Sequence, residues 1–187
     1  AEGPGKFRFY ASGMGDARER IALERELRSG IERGELRLYY QPKVVIASGR
    51  VHGVEALVRW QHPKRGLLGP GEFITLAEES GLIVPLGRWV LETACNQAAQ
   101  WRSARGLELR VAVNLTAPQF RSDGLVADIA GIIQRAALPP AALEIEVTES
   151  IVMRDPEQAV TVMRELRNLG VTLAMDDFGT GYSSLGN

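Results

Sequence analysis

The chain of 187 residues is 45% hydrophobic, 24% charged and 6% aromatic, with a formal net charge of −1. These are values of an ordinary globular chain and exclude a disordered, collagenous or low-complexity one. The near-neutral balance also excludes a protein held on nucleic acid polymers by bulk charge. Cys95 is the single cysteine, which rules out a disulfide framework and fits a reducing compartment. With only His52 and His62 beside it, a zinc site lacks ligands. No apolar run approaches the ~18 to 20 residues that span a bilayer, and the opening AEGPGKFRFY has no signal-peptide core. The expectation is a cytoplasmic chain, or the cytoplasmic part of a larger membrane-linked regulator.

Residues 1–15 are Gly-rich, and KFRFY within them reads as the tail of a preceding domain or a linker. Asp16 opens a charged linking helix over 16–35, in which Leu23, Leu27 and Ile31 make one narrow apolar stripe. From Leu36 the signals alternate between strand and helix. LRLYYQPKVVI and VHGVEALVRW read as two strands separated by a turn. Residues 61–84 read as loops with a short helix around EFITLAEES. An amphipathic helix follows, with Leu86, Trp89, Val90, Thr93, Ala94, Gln97, Ala98 and Trp101 at 3-4 spacing.

LRVAVNL is the next strand, and LVADIAGIIQRAA a helix that LPP stops. LEIEVT is a strand. Asp155 and Pro156 then cap a helix that runs to Gly170. VTLAMDD is the last strand, before FGTGYSSLGN. Five strands alternating with helices imply an α/β fold with a parallel sheet, doubly wound or a (β/α) barrel. Since a complete eight-stranded barrel takes ~250 residues, about five of its strands are present.

Strand periodicity sorts the polar residues. Glu55, Leu57 and Arg59 share one face, opposite Val54, Ala56 and Val58. Asn114 shares a face with Ala112, Glu144 lies with Glu146, and Asp176 lies with Ala174, beside Asp177. One oxygen-bearing side chain thus sits near the C-terminal end of each of four strands, the end at which parallel α/β folds build their sites. A lone carboxylate on a strand is ordinarily a solvated one. Glu55, Glu146, Asp176 and Asp177 gathered at one strand end would repel one another unless cations joined them. All-oxygen ligands select hard cations, Mg²⁺ or Mn²⁺, with Ca²⁺ the other choice.

FGTGYSS lacks the lysine of a P-loop and the third glycine of a dinucleotide fingerprint. It reads either as a tight turn or as a loop passing close to a metal-bound phosphate. Arg59 is either an interior carboxylate partner or a bidentate phosphate contact, and Gln41 either reads a base edge or satisfies a strand end. Trp60, Trp89 and Trp101 read as core, Cys95 as a small core residue, and His52 and His62 as surface or loop histidines.

Taken together, YYQP, GVEALVRWQHP, PGEFITLAEESGLIVPLGRWVL, VNLTAPQF, EIEVTES and MDDFGTGYSSL resemble the EAL-domain family of cyclic di-GMP phosphodiesterases, from about residue 36 onward. The resemblance implies a modified (β/α)₈ TIM barrel whose first strand is antiparallel to the rest. It also implies hydrolysis of cyclic di-GMP to linear pGpG with Mg²⁺ or Mn²⁺. By motif, Glu55, Asn114, Glu146 and Asp176 would ligate metal, and Asp177 would serve a second ion and the attacking water. Glu149 would support the DDFGTG loop, while Gln41, Leu57 and Arg59 would contact the dinucleotide. The mechanism implied is two-metal hydrolysis, with a water acidified by the cations attacking phosphorus in line.

The region before residue 36 resembles the junction that follows a GGDEF-type domain, so a multidomain bacterial signalling protein is implied, with the barrel domain over 36–187. VNLT carries a threonine where the family usually has serine. The family also places a lysine, a further glutamate and a glutamine after the DDFGTG loop, and no lysine follows Lys64 here. Three readings of that departure stand: a longer parent protein, a second copy in a homodimer covering the open edge, or a degenerate relative. On its own the chain is expected to be inactive or nearly so. The alternative function is a domain that binds cyclic di-GMP or a protein partner without turnover.

Overall fold

The computed structural model describes residues 12–176, with side chains from residue 18 onward. KFRFY, Asp177 and the FGTGYSS loop lie outside the described residues. Helix α1 (Ser12–Glu32) begins four residues before the expected Asp16 and leads into β1 (Leu36–Val45) and β2 (Arg50–His62), an antiparallel pair. Next come β3 (Gly66–Leu68), α2 (Ile74–Glu79), α3 (Ile83–Arg105), β4 (Arg110–Asn114), α4 (Ala117–Phe120) and α5 (Leu125–Ala136). The chain continues through β5 (Leu143–Thr148), α6 (Glu149–Arg154), α7 (Pro156–Leu169) and β6 (Thr172–Asp176).

The sheet runs β1-β2-β4-β5-β6, with β2, β4, β5 and β6 mutually parallel and β3 hung antiparallel on β2. This is the α/β arc of a (β/α) barrel whose first strand is reversed, as the sequence motifs imply. Three short elements, β3, α4 and α6, add to the expected set. β3 has three residues, too few for an alternating pattern to register, and is held by pairing of Trp60 with Leu68. α6 follows β5 directly and is only six residues long.

The apolar strand faces expected from sequence are the buried ones. Val54, Ala56, Val111, Val113, Leu115, Leu143, Ile145 and Val147 lie under the helices in one continuous core. Burying each larger side chain of this kind contributes about 1.5–3 kcal/mol. The helices end where their sequences direct. Gly106 and Gly170 take left-handed conformations at φ 63° and 96° after α3 and α7. Asp155 Oδ1 accepts the Gln158 amide 3.1 Å away at the start of α7. Cys95 is fully buried in α3, and burial pushes its thiol up to about 12, so it packs as a small apolar residue. None of the helices among the described residues is long and apolar enough to cross a membrane.

α1 is fastened to the far end of β2. The Trp60 indole donates to Glu35 Oε2 at 3.0 Å, and its ring meets His62 and Phe73 edge-on. His62 departs from the expected surface position: it is 4% exposed. Its Nδ1 accepts the Lys64 and Arg65 amides at 3.1 and 3.2 Å, which places the proton on Nε2, facing Glu26 Oε2 at 3.1 Å. A histidine with a partner 36 residues away in sequence leaves no local trace in the chain.

The Trp60 hydrogen bond is the largest influence on Glu35 and outweighs burial, and with Arg33 beside it the carboxyl is held below its ordinary value. A depressed carboxyl stabilises the fold above its unfolded pKa and loses that contribution as pH falls through the folded one. Trp60→Phe should therefore flatten the acid limb of stability. Urea unfolding between about pH 6 and about pH 3, on either side of the ordinary glutamate value of about 4.3, is expected to show a smaller loss in the variant than in the unaltered protein.

Candidate active site

The concave face of the sheet carries the polar set. β1 runs opposite to its neighbours, so Gln41 stands across from Glu55 and Lys43 across from Gly53, one step further from the site end. Glu55 is level with Ala112, Ala112 with Glu144, Asn114 with Glu146, and Glu146 with Ala174. Partners across a sheet share a face, so these residues form three successive rows on one surface. Gly53 permits the close approach at the base: a Cβ there would stand 2.8 Å from the Arg110 carbonyl oxygen.

Within these rows the side chains meet. Asn114 Nδ2 donates to Glu55 Oε1 at 2.8 Å, which leaves the amide oxygen of Asn114 as an acceptor. Lys43 Nζ donates to Glu144 Oε1 at 2.7 Å and also to Glu146 Oε1, and Arg110 reaches the other oxygen of Glu144 at 3.1 Å. Burial opposes ionisation of Glu144, but Lys43 and Arg110 overcome it and hold the carboxyl below its ordinary value. Burial pushes the Glu146 carboxyl up; Lys43 counters this only in part, and the charges of Glu55 and Glu144 add to the rise. Burial also opposes the Lys43 ammonium, which its two glutamates hold above the ordinary value. The described carboxylates of this face are thus partnered by the Asn114 amide, Lys43 and Arg110.

The sequence-predicted residues fall as follows. Glu55, Asn114 and Glu146 are gathered in adjacent rows. Asp176 ends β6, level with Thr148 and one row beyond Glu146, and is exposed. Asp177 lies outside the described residues. Glu149 opens α6 immediately after β5. Gln41 is exposed beside Glu55, and Leu57 pairs with Tyr39. Arg59 donates to the Val58 carbonyl at 2.8 Å and lies 5.8 Å from the centre of the Tyr39 ring. Lys43 and Arg110 are the members that sequence reasoning missed. The available signal was the spacing of Gln41 and Lys43, which share a strand face.

The donors are all oxygen and suit a hard divalent cation in kind. Among the described residues no three His, Cys, Asp or Glu side chains gather tightly enough to hold an ion. Asn114 adds an amide oxygen beside them, and Asp177 lies outside the described residues.

The EAL domain family model matches residues 24–187. The chain belongs to the EAL-domain family. It is 45% identical over 185 residues to the bifunctional diguanylate cyclase/cyclic di-GMP phosphodiesterase MucR of Pseudomonas aeruginosa, spanning 98% of this chain and 27% of MucR. Against the cyclic di-GMP phosphodiesterase PdeR of Escherichia coli the identity is 44% over 167 residues, 89% of this chain and 25% of PdeR. The chain therefore spans about a quarter of the length of these curated relatives. The solved PaMucR phosphodiesterase, in complex with c-di-GMP, superposes on this EAL domain with a TM-score of 0.84 at 47% identity, covering 87% of this chain and 66% of that one.

The segment after Asn114 depends on a cap. Thr116 Oγ1 donates to Gln119 Oε1 at 2.8 Å, and the Thr116 amide donates to the same oxygen at 3.2 Å. Gln119 is buried against Gly87 of α3, where a Cβ would lie 2.6 Å from Gln119 Cδ. Gly87→Ala should expel Gln119 and destabilise the EAL domain by about 1–3 kcal/mol, despite alanine's better helix propensity. Because the two residues touch, Gly87→Ala with Gln119→Ala should cost less than the sum of the single changes in a double-mutant cycle by urea unfolding.

Proposed function

We propose that the chain is the EAL part of a cyclic di-GMP phosphodiesterase that opens the cyclic dinucleotide to linear pGpG in bacterial signalling. The observation that carries this reading is the oxygen set itself. Glu55 and Asn114 are hydrogen-bonded at 2.8 Å, and Glu146 stands level with Asn114 on the next strand. The activities named for MucR and PdeR support it.

In this reading Glu55, Asn114, Glu146, Asp176 and Asp177 hold two divalent cations, Mg²⁺ or Mn²⁺. When bound, such ions acidify a water and neutralise charge on the phosphoryl and leaving oxygens. The chain's own residues do the rest. Glu55 holds the Asn114 amide so that its oxygen remains available as a ligand. Arg59, whose guanidinium suits a phosphate bidentately, positions the dinucleotide with Gln41 and Leu57. Glu149, at the start of α6, supports the loop that follows Asp177. Hydrolysis adds the elements of water across one phosphodiester and leaves a 5′-phosphate on the linear product. An upstream GGDEF-type or sensory domain and a second copy of the chain are the protein partners of this reading.

A second reading, binding of cyclic di-GMP without turnover, draws on one observation: among the described residues no three carboxylates or imidazoles gather into an ion site. One assay separates the two. The full-length protein is incubated with cyclic di-GMP and Mn²⁺, and pGpG is measured by chromatography. Glu55→Ala is expected to cut product by at least about 100-fold, the scale of losing one group that stabilises transition-state charge. Retained cyclic di-GMP binding with no product from the unaltered protein would select the second reading. Absence of both binding and product would overturn both.

A further inference from the structure

Among the described residues of the concave face, Lys43 and Arg110 are cations to which the proposed reaction gives no role. Lys43 enters from β1, the reversed strand, and its ammonium bridges Glu144 Oε1 and Glu146 Oε1. Its side chain is 27% exposed and those of the two glutamates 11% and 9%, so the bridge is largely shielded from solvent. Glu144 is in turn gripped on its other oxygen by Arg110 at 3.1 Å. The result is a chain of charge-assisted hydrogen bonds, Arg110 to Glu144 to Lys43 to Glu146. It climbs from the base of the strands to a residue that the proposed function assigns to metal.

Three features distinguish this from a surface ion pair. The Lys43 ammonium has three donors, and two of them are engaged on oxygens from a single strand. Glu144 and Glu146 are two residues apart on β5 and cannot separate without breaking pairing to β4 and β6. Of the two Glu146 oxygens, Lys43 takes Oε1, so the rotation of the carboxylate is fixed by a donor below it. Carboxylates that ligate metal are commonly oriented by such outer partners, and losing one typically costs 10–100-fold in metal affinity.

We propose that Lys43 is a positioning residue: anchored through Glu144 to Arg110, it holds one oxygen of Glu146 so that the other is presented to the divalent cation. This deepens the proposed function and rests on its assignment of Glu146 as a metal ligand. Lys43 touches neither substrate nor reacting atoms in this role. Its effect is on the orientation of Glu146.

The test is Mn²⁺ binding by isothermal titration calorimetry on the full-length protein, unaltered and as Lys43→Met, Lys43→Arg and Glu144→Gln, with no substrate present. Lys43→Met should weaken Mn²⁺ binding by about 10–100-fold, and Lys43→Arg, which keeps the charge and the donors, should recover part of that loss. Glu144→Gln removes the anchor but keeps the shape, and should weaken binding by about tenfold even if Lys43→Met does not fold. Binding by Lys43→Met or Glu144→Gln that equals or exceeds that of the unaltered protein would overturn the proposal. So would equal losses in Lys43→Arg and Lys43→Met, since a mere space-filling role predicts no rescue. If the unaltered protein binds no Mn²⁺, the metal reading fails and this one with it. Binding that Glu146→Gln abolishes and Lys43→Met spares sinks this proposal alone.

Discussion

Carboxylates gathered on the concave face of the sheet are the constraint to which the rest of this molecule answers. Glu55, Glu144 and Glu146 come from two strands that flank β4 and face the same side. Glu144 and Glu146 are nearly as buried as the apolar core. An isolated carboxylate in that environment is costly, and the structure offsets the cost in three ways: an amide from Asn114, an ammonium from Lys43 and a guanidinium from Arg110. The direction of β1 is part of that solution. Because β1 runs antiparallel, Gln41 stands level with Glu55 and Lys43 lies a step below, under the glutamates. A parallel first strand would reverse that order and bring Lys43 to the site end, where it would compete with any bound cation.

The other face of the same strands works by a different principle. Val111, Val113, Leu143, Ile145 and Val147 are sealed under α3, α5 and α7. This burial fixes register, since a one-residue slip would exchange Ile145 for Glu146. Packing on the convex side therefore determines which oxygens appear on the concave side. Gly53 and Gly87 mark where the two demands meet. The first lets β2 approach β4 at the base of the carboxylate rows, and the second leaves room for the glutamine that caps the segment after Asn114.

This division explains what was legible in the sequence. The alternation in VHGVEALVRW, RVAVN and LEIEVT was readable because one face of each strand is wholly buried, so period two survives in the residue types. The same alternation placed Glu55, Asn114 and Glu146 on one surface. Lys43 was not legible as a site member: its partners lie 101 and 103 residues away, and its reach depends on β1 being reversed. His62 failed as a surface residue for a similar reason, because Glu26 and two turn amides convert a polar ring into a buried one. β3 and α6 were too short for any periodicity to declare itself. The elements that escaped were those defined by partners distant in sequence or by fewer than two full periods.

Strand β2 joins the two ends of the argument. Its residues Glu55, Leu57 and Arg59 share the concave face, and residues at its far end, Trp60 and His62, hold Glu35 and Glu26 at the α1 side. The same thirteen-residue strand pairs with β1, β3 and β4. Its length has a consequence: the anchor of α1 and the first carboxylate of the site lie on one continuous hydrogen-bonded ladder, with no loop between them to absorb displacement. Trp60 is fully buried between α1 and Phe73, so α1 cannot be shifted at Gly30 without moving the indole, where a single Cβ would already stand 2.8 Å from its nitrogen. The rigidity that positions Glu55 is therefore the same rigidity that docks α1. Both follow from the alternation of one strand, which sends Glu55 to the concave face and Trp60 to the core.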